Sequence, residues 1–367
     1  MRKFFGALLF TVLLIASAGA FALDSTPKMS PTPIPAASGY APAGEDTLLL
    51  SFIGDVSIGD IFSNRNSSKG YHGTVAQKGA QWPFSLVKNV LETDDMTVAN
   101  LEVVLTDRTD HVDKRVPLVA APKQVQVLKH SGIDVLNTMN NHAFDFFEAG
   151  YRDTMATLNA AGIPHFGSVF NRKGEDMDLS YVYEAKGVKI GLIGISYPQN
   201  YDVKRVAARV DTLRESGCAL VIVSLHWGRE EHPLPSSGQY SYARSIIDAG
   251  ADVVYGHHPH VIQPIHLYKG KPIFYSTGNF TFGSMSKVDP DTGIFQLRYS
   301  ISDGGLKLSN LTVIPCRTQG GTDYRPYILT DEKERKAVFR KLTFKRNAKG
   351  MENLPDSFLQ TGSADFE

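Results

Sequence analysis

From residue 47 onward, short apolar runs alternate with stretches of helical spacing. Leu48-Leu49-Leu50-Ser51-Phe52-Ile53 is too short for a buried helix and stops at Gly54, so it reads as a strand. The spacing then predicts a helix over about Pro83–Glu92, a strand at Met96–Ala99, a helix over Pro122–His130 and a strand at Ile133–Leu136. Tyr151, Met155 and Leu158 share a helical face that Gly162 ends, and Val203, Val206, Val210 and Leu213 share another. Between and after them come the strands Val188–Ile195, Leu220–Leu225 and Val253–Tyr255, with a helix over Ser236–Ala249. Alternation of this kind predicts an α/β fold around a largely covered sheet.

After Pro264 the pattern changes. Ile265–Tyr268 and Pro272–Ser276 flank a tight Lys269-Gly270 turn, and Phe295–Ile301 and Leu306–Ile314 flank Ser302–Gly305, so two hairpins are predicted. The chain's ends carry no such pattern. Arg2-Lys3 precedes an apolar run to Ala22, the layout of a secretory signal or an N-terminal anchor, which implies an exported, extracytoplasmic protein at the periplasm or cell surface. Residues 23–46, rich in Pro, Ser and Ala, read as a linker, residues 47–316 as the folded domain, and 317–367 as an extension with a partly disordered tail. Lys+Arg and Asp+Glu are both 38, so no net charge points to a nucleic-acid partner. Cys218 and Cys316 fit a disulfide or two buried thiols equally well.

The polar residues with chemical potential fall where strands stop. Asp55 follows the first strand, Asn100 and Glu102 the second, Asn140-Asn141-His142 the third, His226 the strand Leu220–Leu225, and His257-His258-Pro259-His260 the strand ending at Gly256. In a mostly parallel sheet these carboxyl ends face one side and converge on one crevice. Carboxylates, imidazoles and an Asn amide are donors for one or two divalent ions, with Mn, Zn and Fe all suited to the mixture. Asp55, Glu102, Asn141, His142, His226, His258 and His260 are the candidate ligands, with Asp145 placed to orient His142. His142 and His257 are candidate acid–base groups, and Trp227 and Arg229 candidate substrate contacts.

The series Gly54-Asp55, Asn100-Leu101-Glu102, Asn140-Asn141-His142 with Asp145, His226-Trp227-Gly228, Gly256-His257-His258-Pro259-His260 and Gly278-Asn279-Phe280 resembles the CapA family of capsule-synthesis proteins over about Leu48–Phe282. That resemblance implies a layered α/β/β/α metallophosphatase-like sandwich with mixed central sheets. It also implies a role in making or exporting poly-γ-glutamate, alongside membrane-bound capsule synthase components. Three places depart from the pattern. Ser57 stands where metallophosphatases place a ligand His, Asp60 where many relatives have Arg, and Phe146-Phe147 where many have Tyr-Gly. Three functions fit: a di-metal hydrolase of an anionic polymer or its precursor, a non-catalytic polymer-binding scaffold, and a general metallophosphoesterase.

Overall fold

A computed structural model describes residues 44–167, 169–170, 176–177, 179–196, 202–283, 289–319, 323–345 and 350–366. The signal or anchor segment and almost all of the linker lie outside the described residues. Six strands carry the α/β part: β1 (Thr47–Ser57), β2 (Met96–Leu101), β3 (Val135–Asn137), β4 (Val188–Ser196), β5 (Leu220–His226) and β6 (Val253–His257). They do not form one sheet. β1, β2 and β3 run parallel in a nine-stranded sheet, and β4, β5 and β6 run parallel in a seven-stranded one.

The later hairpins extend both sheets. β7 (Ile265–Tyr268) and β8 (Lys271–Phe274) add to the second, with β8 parallel to β6. β9 (Asn279–Phe282) pairs with the end of β1, and β10 (Asp291–Ser302) with its beginning, antiparallel. β11 (Gly305–Thr318) completes the hairpin with β10.

Alternation along β5 shows how the layers are assembled. Leu220 and Ile222 join Phe52, Val98, Tyr255, Phe274 and Phe295 in a core shared by the two sheets. Val221, Val223 and Leu225 point the other way, against Val206, Val210 and Leu213 of α1 (Val203–Glu215) and Ala243, Ile246 and Ile247 of α2 (Ser237–Asp248). A strand buried on both faces reads as a continuous apolar run. The Tyr255 hydroxyl ties the sheets together by donating to the Ile53 and Val98 carbonyls. The result is the mixed α/β/β/α sandwich expected.

Several boundaries differ. The segment expected to be one helix over Pro83–Glu92 is a 3-10 turn, Trp82–Phe84, and a short helix, Lys88–Leu91, separated where Val87 takes φ −130°. The helix ending at Gly162 starts earlier, at Phe147, and stops in a left-handed Gly162 at φ 69°. The expected domain boundary at Cys316 falls inside β11. Beyond it, Phe339, Leu342, Phe358 and Ala364 enter the shared core, and Ser363–Asp365 pairs with β11. Residues 323–345 and 350–366 are therefore part of the same body, not an appendage. Both cysteines are buried and free. Among the described residues no helix is long and apolar enough to cross a membrane.

Candidate metal centre

The two parallel sets end side by side. In the first sheet Asp55 is in register with Asn100, and Asn100 with Asn137. In the second, His226 is in register with His257. Glycines permit the close approach: a Cβ on Gly54 would lie 2.3 Å from the Gly278 carbonyl oxygen, and one on Gly256 2.1 Å from that of Tyr275. A ladder of amides then aims the first carboxylate. Asn137 donates to Asn100 Oδ1 at 3.1 Å, and Asn100 donates to Asp55 Oδ1 at 2.8 Å. Asn140 also reaches Asn100 Oδ1, at 3.3 Å.

Glu102 has no such support. It is 0 % exposed, and neither carboxylate oxygen has a hydrogen-bond partner. Around its Oε1 stand the Nε2 atoms of His226 at 3.6 Å, His142 at 3.7 Å and His260 at 3.7 Å. These separations are too long for hydrogen bonds. They suit donors sharing a cation, because two bonds of ~2.1 Å at angles near tetrahedral or trigonal hold their ends about 3.4–3.6 Å apart. Burial and the Asp55 charge push the Glu102 carboxyl well above the usual range. An uncompensated buried carboxylate is costly, so the residues present fit a divalent ion.

His142 and His260 are held through Nδ1, which turns Nε2 toward Glu102. His142 Nδ1 is 2.7 Å from Asp145 Oδ2, whose carboxylate also takes the Leu118 N–H at 2.7 Å and the Lys114 ammonium at 2.5 Å. That is the orienting role expected of Asp145. His260 Nδ1 rests 2.9 Å from Asn279 Oδ1. His226 Nε2 lies 2.9 Å from Asn141 Oδ1, which brings both expected ligands together. Burial, with the neighbouring His258, holds His226 well below its ordinary value, and burial and His260 push His258 down to about 4. Both rings are thus neutral and keep a lone pair. His258 and His260 take positive φ, 94° and 57°, a conformation unfavourable for such side chains that recurs at functional sites.

Among the described residues, ligand atoms within 4.8 Å of one another define three groups: Glu102, His226 and His258; Asp55, Glu102 and His260; and Glu230, His258 and His260. Glu102 belongs to two of them, the position of a shared ligand. A cavity of about 290 Å³ opens onto the cluster, bordered by Asn141, His142, His260, Glu230, Lys114 and Arg115 among others.

Three expectations are corrected. Trp227 does not face this cavity: it is 2 % exposed, stacks on Tyr275 and donates its indole N–H to the Tyr275 carbonyl at 2.8 Å. His257 is 0 % exposed, with its ring edge-on to Tyr255 and Nδ1 2.9 Å from Asp55 Oδ1, so it supports that carboxylate and has no route to a substrate. Arg229 is exposed, and the cavity is bordered instead by its neighbour Glu230. Two residues of the site are not marked as such in the sequence: Lys114 lies on an irregular loop with no motif, and Asn279 stands in Gly278-Asn279-Phe280, which shows the family resemblance and not what its side chain holds.

An α/β sandwich whose strand ends gather buried carboxylates and imidazoles around one cavity defines a candidate divalent-metal centre. Residues 49–284 match the family model described as "Bacterial capsule synthesis protein PGA_cap", and the chain belongs to that family. It is 31% identical over 315 residues to the capsule biosynthesis protein CapA of Bacillus anthracis, spanning 80% of this chain and 73% of that one. It is 28% identical over 317 residues to the PGA biosynthesis protein CapA of Bacillus subtilis strain 168, spanning 82% and 78%. Among solved structures, a hypothetical protein from Thermus thermophilus aligns over 73% of this chain and 99% of its own, at 16% identity and a TM-score of 0.46.

Proposed function

We propose that this protein is an exported, metal-dependent hydrolase of poly-γ-glutamate capsule synthesis, acting on the polymer or an anionic precursor. Family membership supports the capsule role, and the basic and apolar start of the chain supports export. The observation that carries the hydrolase reading is Glu102, buried and unpartnered, with three imidazole nitrogens 3.6–3.7 Å from one of its oxygens.

Asp55, Glu102, Asn141, His142, His226, His258 and His260 would hold one or two divalent ions. Such an ion supplies a polarised substrate oxygen and a water acidic enough to act near neutral pH. The chain's own residues do the rest. His142 and His260 border the cavity as well as the cluster, so they meet the substrate. Asp145 and Lys114 fix the His142 ring, and Asn279 fixes His260. Lys114 and Arg115 make one wall cationic, as an anionic substrate requires, while Glu230 leaves the other side acidic.

One observation favours a second reading, in which the polymer is bound but not cut. Ser57, standing where a ligand His is common, is fully buried with its hydroxyl unpartnered, which removes one donor from the set. Incubating the purified protein with poly-γ-glutamate, and in parallel with a panel of chromogenic phosphoesters, separates the functions. Chain shortening that depends on Mn²⁺ or Zn²⁺ and stops with EDTA is expected. Binding that ignores EDTA, with no bond broken, selects the scaffold, and phosphoester turnover without polymer cleavage selects a general phosphoesterase.

A further inference from the structure

A second cavity, of about 270 Å³, shares its walls with the stretch of chain that borders the metal centre. The short strand Leu118–Ala120 connects the two: Leu118 borders the first cavity, Val119 and Ala120 the second. The cationic residues divide in the same way, with Lys114 and Arg115 at the first cavity and Arg65, Arg108 and Lys123 at the second.

The second cavity is lined by buried polar groups that have no partner among the described residues. Gln124 is 5 % exposed, yet its Nε2 has no partner, and His72 Nδ1 is also buried and unpartnered. Arg65 lies over the Phe62 ring, donates from Nη1 to the Phe62 carbonyl at 2.7 Å and borders the cavity. The acidic residues do not answer them. Both Asp60 oxygens already accept backbone N–H groups, from Tyr71 at 2.8 Å and His72 at 3.1 Å, and Asp107 is exposed. Buried donors without acceptors are uncommon and call for a ligand that supplies oxygen lone pairs.

We propose that this cavity is a carboxylate-binding subsite that holds a pendant carboxylate of an extended anionic polymer while another stretch of the same chain lies at the metal centre. The identity of the polymer rests on the function proposed above. A γ-linked glutamate chain carries a free carboxylate on every unit, so it can meet Arg65, Lys123 and the Gln124 amide at one cavity and Lys114 and Arg115 at the other.

Fluorescence anisotropy of a labelled γ-linked glutamate decamer with the full chain, read at short mixing times, tests this. Arg65→Glu combined with Lys123→Glu is expected to weaken binding by about tenfold or more, the loss of a charge-assisted contact. Lys123→Arg is expected to bind as the wild type does. Lys269→Glu, a single charge reversal on the exposed β7–β8 turn, is expected to stay within twofold. Equal affinity in wild type and double variant, or an equal loss in Lys269→Glu, overturns the subsite. Free glutamate that competes as well as the decamer overturns its assignment to a polymer. A chain that loses decamer binding on reversal but cuts nothing keeps the subsite and removes the hydrolase; one that cuts polymer and ignores the reversal does the opposite.

Discussion

Asp145 shows most clearly how a residue outside the candidate ligand set can aim one of its members. Its carboxylate holds His142 Nδ1 at 2.7 Å, and with it the direction of Nε2 toward Glu102. Asp145→Asn is expected to lower metal affinity or activity by about 10–100-fold while the fold survives, as loss of a ligand-orienting carboxylate does. Metal titration followed by calorimetry measures it, and an unchanged affinity would mean the ring is held by packing alone. Trp227 makes the contrasting case. Replacement by Phe removes the donor to the buried Tyr275 carbonyl and is expected to cost about 1–3 kcal/mol of stability, with KM unchanged. Denaturant unfolding beside steady-state kinetics separates a packing residue from a substrate contact. Asp55, Glu102 and the histidines were legible in the sequence because ligand types stand directly after apolar runs. Trp227 and His257 misled because they share those strand ends, and a sequence does not show which way successive side chains turn.

At the scale of elements, the opposite end of β2 gathers acids. Asp94 accepts from Thr97 Oγ1 at 2.6 Å, while its other oxygen is buried without a partner. Burial pushes the Asp94 carboxyl up to about 7; the Ser51 and Thr97 hydroxyls oppose this, and the Asp134 and Asp95 charges add to it. A carboxyl whose folded value lies above its unfolded value of ~3.9 binds more protons when folded. Its penalty on stability is therefore absent below about pH 4, grows as pH rises and is complete above about pH 7. Asp94→Asn is expected to raise the melting temperature relative to wild type at pH 8 and to lose that advantage by pH 4. A pH-independent difference would show that the carboxylate is not carrying the burial cost. Strand existence and order were readable from short apolar runs. The partition into two sheets was not, because β1–β3 and β4–β6 have the same pattern and differ only in their long-range partners. The helix over Pro83–Glu92 failed for a local reason, the Val87 break.

For the whole molecule, the C-terminal segment belongs to the core. Phe339, Leu342 and Phe358 are at most 1 % exposed. Burying three such side chains contributes about 5–9 kcal/mol, comparable to the ~5–15 kcal/mol net stability of a domain. Truncation after Cys316 is expected to give insoluble or unfolded protein, and a soluble, cooperatively unfolding product would contradict the shared core. Composition hid this, since the few apolar residues of the segment are far apart in the chain and meet only on the sheet. At the candidate metal centre, a bound ion would neutralise the carboxylate that the folded chain otherwise buries without a hydrogen-bond partner.

Elemental analysis of purified wild type and Glu102→Gln, both shown folded by circular dichroism, addresses that carboxylate directly. Wild type is expected to carry at least one equivalent of a divalent transition metal per chain, and Glu102→Gln to lose it. A metal-free wild type that gains none on incubation with Mn²⁺ or Zn²⁺, or a variant that keeps its full metal content, would contradict the assignment of Glu102 and its three imidazoles as a metal centre.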